Sequence, residues 1–288
     1  MPRLAHIVNP FSAPVNSDLY FAQPITFDSM RKARDVAAST IDVELLAACF
    51  PEDLILVPKT FKAVKPLERS VLDFSSFKKP YKLPLIGDIL SRLYHESSAE
   101  YLIYTNADIG LYPEFYLRVH ALIRDGHDAF IINRRRLPSR FMNAEYPEIV
   151  KQKGRPHPGF DCFVFHRSMY PKLKLDGICI GVPFIEIAFS QNLFALSSKF
   201  KLVYDEVLTF HIGEEIFKRR APREYFFYNR KKFHKIESAL FETMRLKKFP
   251  FQENPFVTRI MKYALHPCIP IRLVIKLLWR DLIKAKNN

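Results

Sequence analysis

The sequence predicts an α/β protein: a mainly parallel sheet flanked by helices, followed by a basic helical C-terminal extension. Three observations carry this reading. Short apolar runs alternate with segments of helical period up to Gly213. Several of those runs are apolar at consecutive positions, as strands covered on both faces are. After Gly213, lysine and arginine interleave with phenylalanine and tyrosine to the end of the chain.

In chain order, Leu4 to Val8 reads as a first strand that stops at Asn9-Pro10. Phe27 to Ser39 has helical character, with Asp28 or Ser29 placed to cap it. Ile41 to Ala48 is a second strand, and Asp53 to Val57 a short third. Leu85 to Tyr94 predicts a helix, because Ile86, Ile89, Leu90 and Leu93 fall on one face. Tyr101 to Tyr104 is a strongly apolar strand. Pro113 to Arg124 predicts a helix with proline in its first turn and Gly126 beyond its end. Ala129 to Ile132 is a further buried strand. From Leu137 to Pro158 the apolar periodicity fades into a loop or excursion. Asp161 to His166 and Leu202 to Phe210 read as strands around a helix from about Phe184 to Leu196. The expected division is a catalytic domain over residues 1–213 and an extension over 214–288.

Composition limits the function. The 288 residues are 48% hydrophobic and 14% aromatic, enough for a substantial core, and carry a net charge of +14. That charge favours anionic partners: nucleotide phosphates, acidic glycans or an anionic membrane surface. Cys49, Cys162, Cys179 and Cys268 form no CxxC pair and suit buried, reduced thiols. Met1 to Phe11 reads as a strand and not as a leader, and no run approaches the roughly 20 apolar residues of a membrane span. The expected location is therefore cytoplasmic, with room for a peripheral position at the inner face of a membrane. Only eight glycines occur, and none forms GxGxxG or GxxxxGK[ST]. Folds that wrap phosphates in backbone N–H groups need glycine where the backbone closes in. A nucleotide diphosphate bound here would need a metal or Lys/Arg instead.

Tyr104-Thr105-Asn106-Ala107-Asp108 takes an apolar strand directly into two polar residues spaced by one. Ligands of open α/β sheets bind beyond the carboxyl ends of strands. Asn106 and Asp108 can thus share a ligand, Asp108 as a hard oxygen donor to Mg²⁺ or Mn²⁺; they serve equally well as an ordinary turn. Gly181-Val182-Pro183-Phe184-Ile185-Glu186 places an acid in the first turn of an apolar helix, as a cap or as a general base. Val207 to His211 ends a strand on a histidine.

The order Asn106-Ala107-Asp108, Glu186, His211 resembles that of the GT-A glycosyltransferases, in which a DxD motif, a helix-opening acid and a later histidine recur. The resemblance covers roughly residues 4–213 in element order. It implies a sugar transfer from a nucleoside diphosphate sugar to a glycan or lipid-linked hydroxyl, assisted by Mn²⁺ or Mg²⁺. By the same likeness Asp108 and His211 hold the metal, Asn106 the ribose or a metal-bound water, Asn9 the nucleotide, and Glu186 the acceptor hydroxyl. Asn106 stands where the motif has its first acid, and Glu186 is single where many members carry a pair.

Secondary candidates are Arg134 and Arg135, whose guanidinium forks suit phosphate, or which form a solvated basic loop. Arg31 on the first helix offers the donor a cation or simply faces solvent. Asp161, after His157-Pro158-Gly159-Phe160, is the reserve candidate for the base. In the tail, Lys218-Arg219-Arg220 precede Phe226, Phe227 and Tyr228, and Ile271 to Lys284 is a cationic apolar helix carrying Trp279. Such a helix suits an anionic bilayer or a packed position on the domain. Two rival functions remain: a nucleotidyltransferase, although residues 9–25 contain no glycine or lysine, and a non-catalytic binder of acidic glycan or anionic lipid. No nucleic-acid partner is expected.

Overall fold

The computed structural model describes residues 3–175, 177–213 and 222–286. The chain is mixed α/β. Its strands are β1 (Arg3–Val8), β2 (Asp42–Ala47), β3 (Lys62–Ala63), β4 (Tyr101–Thr105), β5 (Gly110–Leu111), β6 (Ala129–Leu137), β7 (Arg155–His166), β8 (Phe200–Val203) and β9 (Thr209–Ile212). They form one sheet in the order β3-β2-β1-β4-β7-β6-β9-β5, with β8 also paired to β6. Strands β3, β2, β1 and β4 are mutually parallel, whereas β7 runs against both β4 and β6. The helices are α1 (Asp18–Ala37), α2 (Ile86–Glu96), α3 (Phe115–Arg124), α4 (Tyr146–Ile149), α5 (Ile185–Leu196), α6 (Arg223–Leu240), α7 (Phe256–Leu265) and α8 (Ile271–Lys286).

Consecutive strand residues go to opposite sides of the sheet. Leu4, Ile103, Phe130 and Val164 pack against Met30 and Ala33 of α1 and Val119 and Leu122 of α3. Their neighbours Ala5, Leu102, Ile131 and Phe163 pack against Ile89 and Leu93 of α2, Phe189 and Leu193 of α5, and Phe233 and Ile236 of α6. Burial on both faces is why these strands read as unbroken apolar runs. Tyr263, Leu273, Val274 and Leu277 of α7 and α8 join the second of these cores. All four cysteines are buried and free.

The structure departs from the sequence reading in four places. Helix α1 begins at Asp18, well before Phe27, because the Ser17 hydroxyl accepts from the Tyr20 N–H at 3.3 Å and so caps it. Pro24 lies within this helix, which is held by burial of Ala22, Thr26 and Phe27. Asp53 to Val57 is not a strand: residues Pro51–Leu56 form a 3-10 helix opened by proline, and the third strand is Lys62–Ala63. Asn133 to Arg136 is not a loop but the second half of β6, paired to β7 and β9. The expected strand from Leu202 to Phe210 is two strands, β8 and β9, which lie along successive parts of β6. Lys218, Arg219 and Arg220 lie outside the described residues.

Candidate active site

The site forms where β4, β6, β7 and β9 end or bend. After Thr105 the chain turns through Asn106-Ala107-Asp108 into the two-residue β5, which pairs antiparallel with β9, Gly110 opposite Phe210. Strand β9 in turn runs parallel to β6, with His211 opposite Arg136. This double pairing brings residues 103 positions apart into contact: His211 Nε2 lies 3.1 Å from Asp108 Oδ2. Gly110 is needed here, because a Cβ would stand 2.2–2.8 Å from the Phe210 ring. Tyr104, fully buried on the last turn of the strand, donates its hydroxyl proton to Asn106 Oδ1 at 2.8 Å.

Strand β6 shifts register against β7 between Ile132 and Arg135. A bulge re-aims the side chains around it, and Arg134 forms an ion pair with Asp161 of β7 in which both side chains are 5% exposed. Burial, with the charge of Asp108, raises the Asp161 carboxyl against the pull of Arg134. Burial also opposes ionisation of Asp108, yet the His211 hydrogen bond and charge, followed by Arg134, hold it below the usual carboxylate range.

Glu186 occupies the first turn of α5. The approach to it is bent: Gly181 has φ 78°, and Phe184, the N-cap, has φ 89°, a left-handed value unusual for a side chain of its size. Asn229 of α6 holds this approach in place. Its amide donates to the carbonyls of Cys179 (2.9 Å), Pro183 (3.2 Å) and Val182 (3.4 Å), and its oxygen accepts from the Cys179 N–H at 3.1 Å. Burial, supported by the charges of Asp161 and Asp108, pushes the Glu186 carboxyl up to about 7. The turn between α7 and α8 packs nearby: the His266 ring lies 4.8 Å from that of Phe160, and Cys268 lies against the Phe160 backbone within the field of Glu186.

The structure thus gathers Asn106, Asp108, Arg134, Asp161, Glu186 and His211. Asn9, Arg31 and Arg135 make their bonds elsewhere. Asn9 ends β1 and donates to the Ala48 carbonyl at 2.7 Å. Arg31 pairs with Asp28 and Asp35 of its own helix at 2.7 and 3.1 Å. Arg135 donates to the carbonyls of Lys153 and Gly154 at 2.8 and 3.1 Å. Sequence reasoning missed the Arg134–Asp161 pair and Asn229. The first depends on the register of two strands, and the second is one asparagine in an otherwise basic, aromatic helix.

Several buried polar atoms of the site have no hydrogen-bond partner: Asp108 Oδ1, Asp161 Oδ2, Asn133 Oδ1, Arg134 Nε and His211 Nδ1. Buried polar atoms without a partner are costly, and a bound ion, water or ligand atom can satisfy them. Asp108 and His211 offer one carboxylate and one imidazole nitrogen, a donor set compatible with Mn²⁺. Among the described residues no three His, Cys, Asp or Glu gather as a ready cage. The fit is that of a partial shell, which ligand oxygens or water would have to complete.

No family model matches this chain, and no curated protein is recognisably similar to it in sequence. Among solved structures, S. aureus TarS 1–349 in complex with UDP-GlcNAc is similar at TM-score 0.51 and 10% identity, over 94% of this chain and 82% of that one. The complex of the same protein with UDP gives TM-score 0.50 and 10% identity, over 91% and 78%. The chain has a GT-A-like fold. Glucosyl-3-phosphoglycerate synthase from Mycobacterium tuberculosis, crystallised with Mn²⁺, UDP-Glc and phosphoglyceric acid, is similar at TM-score 0.45 and 12% identity, over 82% of this chain and 79% of that one. The Asp108–His211 contact, the Arg134–Asp161 pair and Glu186 lie close enough to feel one another's charge, at strand ends and a helix start. No helix among the described residues is long and apolar enough to cross a membrane.

Proposed function

We propose that this chain is a glycosyltransferase that moves a sugar from a nucleoside diphosphate sugar to a hydroxyl acceptor on a glycan or lipid-linked molecule. The observation that carries the reading is the convergence of Asp108, His211 and Arg134, each with an unpartnered buried atom, with Glu186 beside them on a GT-A-like fold. Asp108 and His211 would hold a divalent cation, Mn²⁺ or Mg²⁺, which when bound supplies positive charge to the departing diphosphate. Arg134, fixed by Asp161, adds a buried guanidinium suited to phosphate oxygens. With Arg134 occupying Asp161, Glu186 is the better base: it takes the proton of the acceptor hydroxyl as that oxygen attacks the sugar. Its raised proton affinity suits this work near neutral pH. Asn106, oriented by Tyr104, would lie beside the donor. TarS binds UDP-GlcNAc and UDP in its crystals, and a uridine diphosphate is the first ligand to try.

Calorimetric titration of UDP with Mn²⁺ and then with EDTA tests the proposal. We expect Asp108→Ala to abolish metal-dependent binding, since Asn106 supplies only a neutral oxygen. His211→Ala should weaken it less, because water or phosphate oxygen can take the vacant position. UDP binding that is indifferent to EDTA and to Asp108→Ala would remove the metal and leave Arg134 as the phosphate ligand.

A further inference from the structure

Helices α7 and α8 turn an apolar face to solvent. On α7, Val257, Met261 and Leu265 recur every four residues and are 70%, 60% and 82% exposed, while Tyr263 on the other side is buried and anchors the helix. On α8 the burial of Leu273, Val274 and Leu277 satisfies the inner face, and Ile275, Trp279 and Ile283 form a second outward stripe, with Trp279 64% exposed. Lys276 and Lys284 border that stripe. Arg272 and Lys284 are partly offset by Glu237 and Glu242, at 3.5 and 3.2 Å. The surroundings remain strongly cationic, since residues 223–288 hold fifteen Lys/Arg against five Asp/Glu.

A helix whose inner face is already packed gains nothing by exposing a second apolar stripe to water. A second copy of the chain would cover the stripes but bring like charges face to face across a symmetric contact. A negatively charged bilayer meets both requirements. It takes apolar side chains to the depth of the acyl boundary, accepts an indole at headgroup level, and attracts the surrounding lysines and arginines. We infer that the outward face of α7 and α8 docks this protein onto an anionic lipid bilayer. The turn joining these helices carries His266 and Cys268, which lie against Phe160 beside Glu186. The docked face is thereby linked through one short turn to the surroundings of Glu186.

Flotation of the full chain with vesicles tests this without donor or acceptor, so its result is independent of the transferase reading. We expect binding to phosphatidylcholine vesicles containing phosphatidylglycerol, weakening as salt rises, and little binding to pure phosphatidylcholine. The double variant Leu265→Ser/Trp279→Ser should lose affinity for the anionic vesicles about tenfold or more, each side chain contributing its buried area. Lys276→Glu should reduce binding chiefly at low salt. Both variants alter exposed side chains, so their thermal unfolding and UDP binding should match the unmodified chain. Absence of binding to anionic vesicles overturns the inference, as does binding that the double variant leaves unchanged. A concentration-dependent dimer abolished by the double variant, without vesicle binding, assigns the face to a second copy instead.

Discussion

Glu186 acquires its high proton affinity from burial beside the charges of Asp161 and Asp108, which outweighs the opposing pull of the backbone N–H at its helix start; the path to it takes positive φ at Gly181 and Phe184. Glu186→Gln keeps the shape and removes the base; we expect sugar transfer to be lost while calorimetry shows UDP affinity unchanged. On the proposed function, the transfer activity of the unmodified chain should rise with pH through about 7, as the carboxylate forms. The same shift has a sign for stability. Between the ordinary value of 4.5 and about 7 the native carboxyl keeps a proton that the unfolded chain has lost, so stability falls as pH rises across that window. Denaturant unfolding should therefore show Glu186→Gln gaining on the unmodified protein from pH 4.5 to 7 and levelling above it. Asn229 acts on the same segment from outside. Asn229→Ala leaves the carbonyls of Cys179, Val182 and Pro183 without their donor, and chemical denaturation should show a loss of about 2–4 kcal/mol. At this scale the sequence was informative where a polar side chain interrupts an apolar pattern: Asp108, His211 and Glu186 all do so. It offered Arg134 and Asp161 as separate candidates but was silent on their pairing, which requires a bulge that no single strand encodes.

Among the elements, β5 is the smallest and one of the most consequential. Two residues, Gly110 and Leu111, pair with β9 and so fix the distance between Asp108 and His211. Gly110→Ala would force the Phe210 ring aside; such overpacking costs about 1–3 kcal/mol. We expect the variant to unfold at lower denaturant and to lose Mn²⁺-dependent UDP binding more than its stability loss explains, because the pair that would hold the ion is pulled apart. The longer elements were legible from their periods. The stripe of Ile86, Ile89, Leu90 and Leu93 gave α2, and the two-sided apolar runs gave β1, β4 and the first half of β6. The start of α1 was hidden because Pro24 falls in its second turn, where a proline reads as a helix boundary. The second half of β6 was hidden because three arginines in a row read as loop until β7 and β9 are seen to pair with them.

Across the whole molecule, the core on the α5 side does not stop at Gly213. Phe233, Ile236 and Leu240 of α6 and Leu273, Val274 and Leu277 of α8 pack into the same cluster as the sheet. The helical extension was visible in composition, but its contribution to the core was not, since the basic residues dominate the pattern. The four buried thiols now turn into clocks. Burial pushes Cys49 up to about 11 and Cys179 and Cys268 to about 12, and Cys162 is raised as well. None can react with a disulfide reagent while its surroundings stay closed, because the thiolate is the attacking species. Each labelling rate therefore reports how often one region opens. Cys162 sits at the middle of the sheet and should label only as fast as the chain unfolds globally. Cys268 sits in the turn between α7 and α8, so any faster labelling there measures detachment of the C-terminal helices, residue by residue and without an added probe.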